Sequence, residues 1–142
     1  MLKVYNIKDK IEYLREVAIL EHNEWAKNPQ DFFEDRINKK IEKVKNNLNK
    51  NDFCKLILLD DDELIGFISL FPNDSDERRD LGPWYATMYV KKEYRNKGYS
   101  KILNREILSE AQKRGYKRIY LKTDLNNYYE KLRFGSNRRR SR

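Results

Sequence analysis

The sequence predicts an α/β fold, a mixed and mostly antiparallel central sheet with helices on both faces. Three observations predict it. Apolar residues recur at strand spacing in short stretches and at helical spacing in longer ones. Two β-rich runs are separated by the acidic turn Asp60-Asp61-Asp62, which reads as an antiparallel hairpin. A strand–helix–strand unit over 84–122 calls for a right-handed parallel crossover.

Taken in order, residues 2–7 alternate apolar and polar and predict a short strand. A helix follows over 9–26, where Ile11, Leu14, Ala18 and Trp25 recur at helical spacing with Val17 beside them. Asn28-Pro29 ends it, because proline disfavours helical backbone in the residue before it. A second helix spans 31–48. Its stripe is Phe33, Ile37, Ile41, Val44 and Leu48, and Asp31 supplies an early acid at the positive terminus. The hairpin strands are 53–59 and 63–71, and a polar loop over 72–82 follows. In the strand at 84–90, Trp84, Ala86, Met88 and Val90 share one face and Tyr85, Thr87 and Tyr89 the other. A helix over 99–114 turns Ile102, Leu103, Ile107 and Ala111 inward, and Gly115 stops it. A strand at 116–122 and a short helix at 126–132 complete the order β-α-α-β-β-β-α-β-α.

With 142 residues the chain fits one domain, placed at 1–134, followed by a basic and disordered tail at 135–142. The net charge of +8 invites a nucleic-acid reading. Its distribution argues against one: residues 133–142 hold five arginines and no acid, and without them 26 bases face 23 acids. No stretch reaches the roughly 18 apolar residues of a membrane span. The N-terminus shows no signal-peptide pattern, so the cytoplasm is the expected compartment. A single cysteine, Cys54, excludes an internal disulfide framework and a cysteine-cluster zinc site. Cys54 reads as an inert strand residue, and no metal is expected.

The chemistry concentrates in Val90-Lys91-Lys92-Glu93-Tyr94-Arg95-Asn96-Lys97-Gly98-Tyr99-Ser100, between a strand and a helix. Arg95 and Lys97 put positive charge at the turn. Gly98 admits close backbone approach, and Ser100 is small at the first helical turn. Unpaired N–H groups at a helix N-terminus bind anions, phosphate above all. The spacing therefore predicts phosphate or pyrophosphate binding, against the simpler reading of a solvated turn.

The run Arg95-x-x-Gly98-x-Ser100 resembles the Arg/Gln-x-x-Gly-x-Gly/Ala acetyl-CoA loop of the GNAT superfamily of N-acetyltransferases. The stretch from Trp84 to Arg95 looks like that family's fourth strand entering the loop. Residues Tyr128-Tyr129-Glu130-Lys131-Leu132-Arg133-Phe134 are similar to its Tyr-Glu-Lys-Leu-Gly-Phe segment. The element order matches over 1–134. The resemblance implies an acetyl-CoA-dependent N-acetyltransferase that moves an acetyl group directly from the thioester to a primary amine. It implies strands splayed apart at 84–90 and 117–122, with the pantetheine arm held between them by backbone groups of Met88, Tyr89 and Val90. Backbone amides of Arg95, Asn96, Lys97, Gly98, Tyr99 and Ser100 would bind the pyrophosphate. A backbone N–H near Met88 or Tyr89 would hold the oxyanion.

Tyr129 matches the family's general acid. A phenol with an ordinary pKa of about 10 stays protonated at neutral pH and donates to a thiolate whose thiol has an ordinary value of about 8.5. The competing reading is a core tyrosine. The family's first two helices line the acceptor site, so His22 or Glu24 would deprotonate the amine, directly or through water. The alternative for His22 is a half-buried ring packed beside Trp25. Asp80 is a further base candidate, and the acidic loop of Asp74, Asp76, Glu77 and Asp80 would suit a cationic amine.

Three departures from the family pattern stand out. Arg133 replaces the usual glycine. Lys122 stands where an asparagine commonly opens the last motif, with Asn126 as a substitute cofactor ligand. The chain ends before two further antiparallel strands, which would leave the strand at 118–122 an exposed edge and favour a homodimer. Two rival functions follow: a non-catalytic acyl-CoA-binding sensor or interaction domain, and nucleic-acid binding through the arginine tail.

Overall fold

A computed structural model describes residues 1–71, 84–116, 118–122 and 129–133. Six strands lie in one sheet in their sequence order: β1 (Leu2–Asn6), β2 (Cys54–Asp60), β3 (Glu63–Phe71), β4 (Trp84–Val90), β5 (Arg118–Lys122) and β6 (Tyr129–Arg133). All neighbours are antiparallel except β4 and β5, which run parallel as the crossover requires. Helices α1 (Leu14–Trp25) and α2 (Phe33–Asn47) cover one face, and α3 (Tyr99–Lys113) covers the other.

Each face has its own apolar core. Phe53, Ile57 and Leu59 of one pleat of the hairpin pack under Leu14, Val17 and Val44. Leu56, Leu58, Ile68 and Leu70 on the opposite pleat pack under Leu103, Ile107 and Ala111. Burial on both sides explains why β2 and β3 read as near-continuous apolar runs. No helix among the described residues is long and apolar enough to cross a membrane.

Four expectations are corrected. First, the stretch at 126–132 is not a helix. Its described part, Tyr129–Arg133, is a strand paired to β5 from Lys122↔Tyr129 to Arg118↔Arg133. An isolated helix of this length has too few turns to repay nucleation, whereas the open side of β5 offers unpaired N–H and C=O groups. Second, and for the same reason, the strand at 118–122 is no exposed edge, because β6 covers it. Third, the first helix begins later than residue 9. Two 3-10 turns, Ile7–Asp9 and Ile11–Tyr13, precede it. The Asn6 side chain accepts the Lys8 N–H at 3.0 Å, a local bond that competes with helix formation. The inward stripe of α1 is accordingly Leu14, Val17, Ala18 and His22, while Ile11 and Trp25 are exposed. Fourth, β4 does not alternate cleanly.

The register of β4 shows why. Tyr89 pairs with Phe67, and Ala86 pairs with Ser69, so β4 carries one extra residue there. This is a β-bulge at Thr87-Met88. Thr87 sits at φ 34°, a region that β-branched residues avoid. Its hydroxyl donates to the Oγ of buried Ser69 at 3.0 Å, which holds the bulge against the strain. Below the bulge, Met88 packs toward the α3 face and Tyr89 toward the α1–α2 face. The period-two assignment does not carry across to Trp84, Tyr85 and Ala86.

Candidate functional site

A cavity of about 590 Å³ opens where β4 runs into α3. Its floor is the backbone and side chains of Met88, Tyr89 and Val90. Its rim is the turn of Tyr94, Arg95, Asn96 and Gly98, with Tyr99, Ser100 and Lys101 from the first turn of α3. Glu24, from the last turn of α1, closes one side.

The turn has the backbone shape its sequence suggests. Asn96 at φ 66° and Gly98 at φ 84° are both left-handed. Gly98 is the N-cap of α3, and no side chain caps the helix. Among the described residues, the amides of Asn96, Lys97 and Gly98 donate to no backbone carbonyl. The amides of Asn96 and Gly98 and the orphan donors of the first helical turn therefore belong to residues that border the cavity. A Cβ placed on Gly98 would meet nothing within 4 Å, so the space above the turn is open.

Arg95 is fixed from below. Its Nε donates to the Val90 carbonyl at 2.7 Å, and its guanidinium lies 5.3 Å from the Tyr89 ring centroid. Tyr89 in turn stacks on Phe67 at 5.5 Å and meets Trp25 edge-on at 6.3 Å. The charged head at the cavity rim is thus held by an aromatic column rooted in the core.

The parallel pair of β4 and β5 is in register only at Trp84↔Tyr120, near the start of β4. Beyond that point the lower half of β4 has no strand partner on the β5 side among the described residues. At the bulge, Thr87 and Met88 also lack a paired residue on β3. The bulge therefore leaves the backbone of Thr87 and Met88 without a ladder partner on β3, in the strand that borders the cavity. Gly66 makes the approach of β3 to this strand possible: any Cβ there would collide with the Tyr89 carbonyl and crowd the Val90 Cα at 3.2 Å.

Of the residues expected in the cofactor site, Met88, Tyr89, Val90, Arg95, Asn96, Gly98, Tyr99 and Ser100 all border this one cavity. Lys97 is exposed on the turn and does not border it. Asn126 lies outside the described residues, as do Asp74, Asp76, Glu77, Asp80 and the tail. The backbone of Tyr129 begins β6 opposite Lys122, at the C-terminal end of β5. His22 is buried, not half-buried. Its Nε2 lies 2.8 Å from the Pro29 carbonyl, and its ring meets Phe33 edge-on at 5.6 Å. Of the two base candidates within the described residues, His22 and Glu24, only Glu24 reaches the cavity. Cys54 is buried, and burial pushes its thiol up to about 12, which keeps it protonated and unreactive. Among the described residues no three His, Cys, Asp or Glu side chains group as a metal site would need.

The chain belongs to the acetyltransferase (GNAT) family, whose profile matches residues 12–134. No curated protein matches the sequence. Among solved structures, AAC(6')-Iy in complex with the bisubstrate analogue CoA-S-monomethyl-acetylneamine is similar at 17% identity and TM-score 0.66, covering 99% of both chains. The PaiA N-acetyltransferase from Thermoplasma acidophilum in complex with coenzyme A is similar at 24% identity and TM-score 0.59, covering 89% of this chain and 82% of that one. An aminoglycoside 6'-N-acetyltransferase complexed with coenzyme A is similar at 20% identity and TM-score 0.57. That match covers 87% of this chain and 61% of the other, so this chain spans less than two thirds of that relative.

Proposed function

We propose that the protein is an acetyl-CoA-dependent N-acetyltransferase acting on a primary amine, through one domain over residues 1–134. The observation that carries this reading is the cavity that brings the uncapped N-terminus of α3 together with the bulged strand β4. The fit to the donor is physical. The amides of Arg95 to Ser100, with the positive end of α3, suit a pyrophosphate. The backbone of Met88 to Val90 suits an amide-bearing pantetheine arm laid along it as an added strand.

The donor supplies an activated acyl carbon, which the amine nitrogen attacks as the carbon–sulfur bond breaks. The chain's own groups then have three tasks. A backbone N–H at the bulge, on Met88 or Tyr89, stabilises the oxyanion; the bulge leaves Met88 without a partner in the β3 ladder, which favours it. Tyr129 gives a proton to the departing thiolate. Its position at the start of β6, opposite the C-terminal end of β5, supports that role. Glu24 takes the proton from the attacking amine, directly or through water, and its place on the cavity wall favours it over buried His22. The test is release of free thiol from acetyl-CoA with a panel of primary amines, with the acetamide product identified by mass. Turnover with at least one amine is expected. Tight acetyl-CoA binding without turnover across a broad panel would leave a binding domain and overturn the enzymatic reading.

A further inference from the structure

A second cavity lies on the α1–α2 side of the sheet and abuts the first at the bulge. Thr87 borders the second and Met88 the first. Trp25 borders the second while its ring touches Tyr89, which floors the first. The second cavity measures about 180 Å³, and Phe53 and Phe71 line it apolarly. That is roughly six water volumes, the size of a small charged head group.

Its charges are unusual. Lys55, on the inward pleat of β2, is 1% exposed, and lysine is almost never buried without a partner. Glu21 of α1 provides one: its Oε2 accepts from Lys55 at 3.1 Å. Its other oxygen, Oε1, accepts from Lys40 of α2 at 3.3 Å. Both oxygens of Glu21, the only carboxylate among the described residues that line the cavity, are thus occupied by ammonium groups. Lys43 adds a further cation 5.8 Å from the Phe71 ring centroid, and Lys55 lies 5.2 Å from that of Phe67. Three lysines face one glutamate around an opening beside the reacting strand. Among the described residues a cationic ligand would find no free carboxylate there, whereas an anion would find Lys40 and Lys43 at the mouth and aromatic walls behind them.

We propose that this cavity receives the anionic end of the acceptor, so that the acceptor is a small primary amine bearing a phosphate or carboxylate. The anion docks against Lys40 and Lys43. The Lys55–Glu21 pair fixes the floor, and the amine points past Thr87 toward the donor cavity. This assignment rests on the acetyltransferase reading for the direction of the amine, but the anion site stands on its own residues.

The test separates the two. CoA is first titrated into the full chain by calorimetry, which reports the donor site alone. The CoA-saturated chain is then titrated with O-phosphoethanolamine, with γ-aminobutyrate and with ethanolamine and putrescine as uncharged-head and cationic references. The expected result is at least tenfold tighter binding of one anionic amine than of ethanolamine. Comparing phosphate with carboxylate then tells which anion the site takes. Lys43→Glu should abolish the preference and Lys43→Gln should weaken it severalfold, each with CoA affinity unchanged. Lys55→Met removes a buried charge and endangers the fold, so exposed Lys43 carries the test. Equal or tighter binding of ethanolamine or putrescine, no binding of either anionic amine, or a preference that survives Lys43→Glu would each overturn the proposal. Loss of CoA binding with the anion preference intact would instead overturn the donor reading.

Discussion

The two cavities that meet at the β4 bulge are built in opposite ways. The first is made mainly of one stretch, Met88 to Lys101, closed by Glu24 of α1, and offers mainly backbone: uncapped amides, two left-handed residues and a bulged strand. The second cavity is made of side chains drawn from α1, α2, β2, β3 and β4, and it offers charge. A backbone site tolerates changes of side chain and recognises a constant group. A side-chain site is rebuilt by single substitutions and discriminates among variable groups. The contrast fits the proposed reading, in which the first cavity takes the invariant donor and the second chooses the acceptor.

The largest effect should come from breaking the ion pair. Glu21→Ala leaves Lys55 buried without its carboxylate and should cost about 3–5 kcal/mol, read by chemical denaturation. The same pair predicts acid sensitivity. Burial alone would push the Glu21 carboxyl up, but Lys55 and Lys40 outweigh it and hold the carboxyl below its ordinary value. Glu21 therefore contributes stability above the ordinary carboxylate range that is lost as pH falls through its lowered folded value. Melting temperatures measured from about pH 6 down to about pH 2 should fall more steeply for the native chain than for Glu21→Gln.

On the donor side, Tyr129→Phe should lower kcat by about 100-fold while leaving acetyl-CoA affinity unchanged, as expected for a group that acts only on the departing thiolate. An unchanged kcat would return Tyr129 to a structural role. Gly66→Ala drives a methyl into the β4 backbone at Tyr89 and should cost about 1–3 kcal/mol, read as a lower denaturation midpoint. Gly98→Ala meets open space and carries only the left-handed backbone cost of about 1–2 kcal/mol.

The same contrast explains what could be read in advance. That one cavity gathers most of the residues expected to hold the donor was legible because they are neighbours in sequence at a strand–helix junction, a place where chemistry and spacing coincide. The bulge was not, since no glycine or proline marks Thr87-Met88 and only the pairing partners Phe67 and Ser69 reveal the extra residue. The lysine cavity was missed although one signal was present. Lys55 interrupts the apolar run Phe53-Cys54-Lys55-Leu56-Ile57 on the same pleat as Phe53 and Ile57, and an inward lysine demands a partner that only the tertiary fold supplies. The stretch at Tyr129–Arg133 was misread because its conformation is set by the open side of β5, which lies outside any local window.

The most direct test of the central claim is calorimetric titration of acetyl-CoA into the native chain and into Gly98→Asp. The substitution strains a residue at φ 84° and puts a carboxylate where the α3 amides face the cavity. Binding by the native chain that weakens at least tenfold in a variant with a retained melting transition is the predicted result. Equal affinity in the two chains, or no binding by a folded native chain, would contradict the assignment of the donor to this cavity.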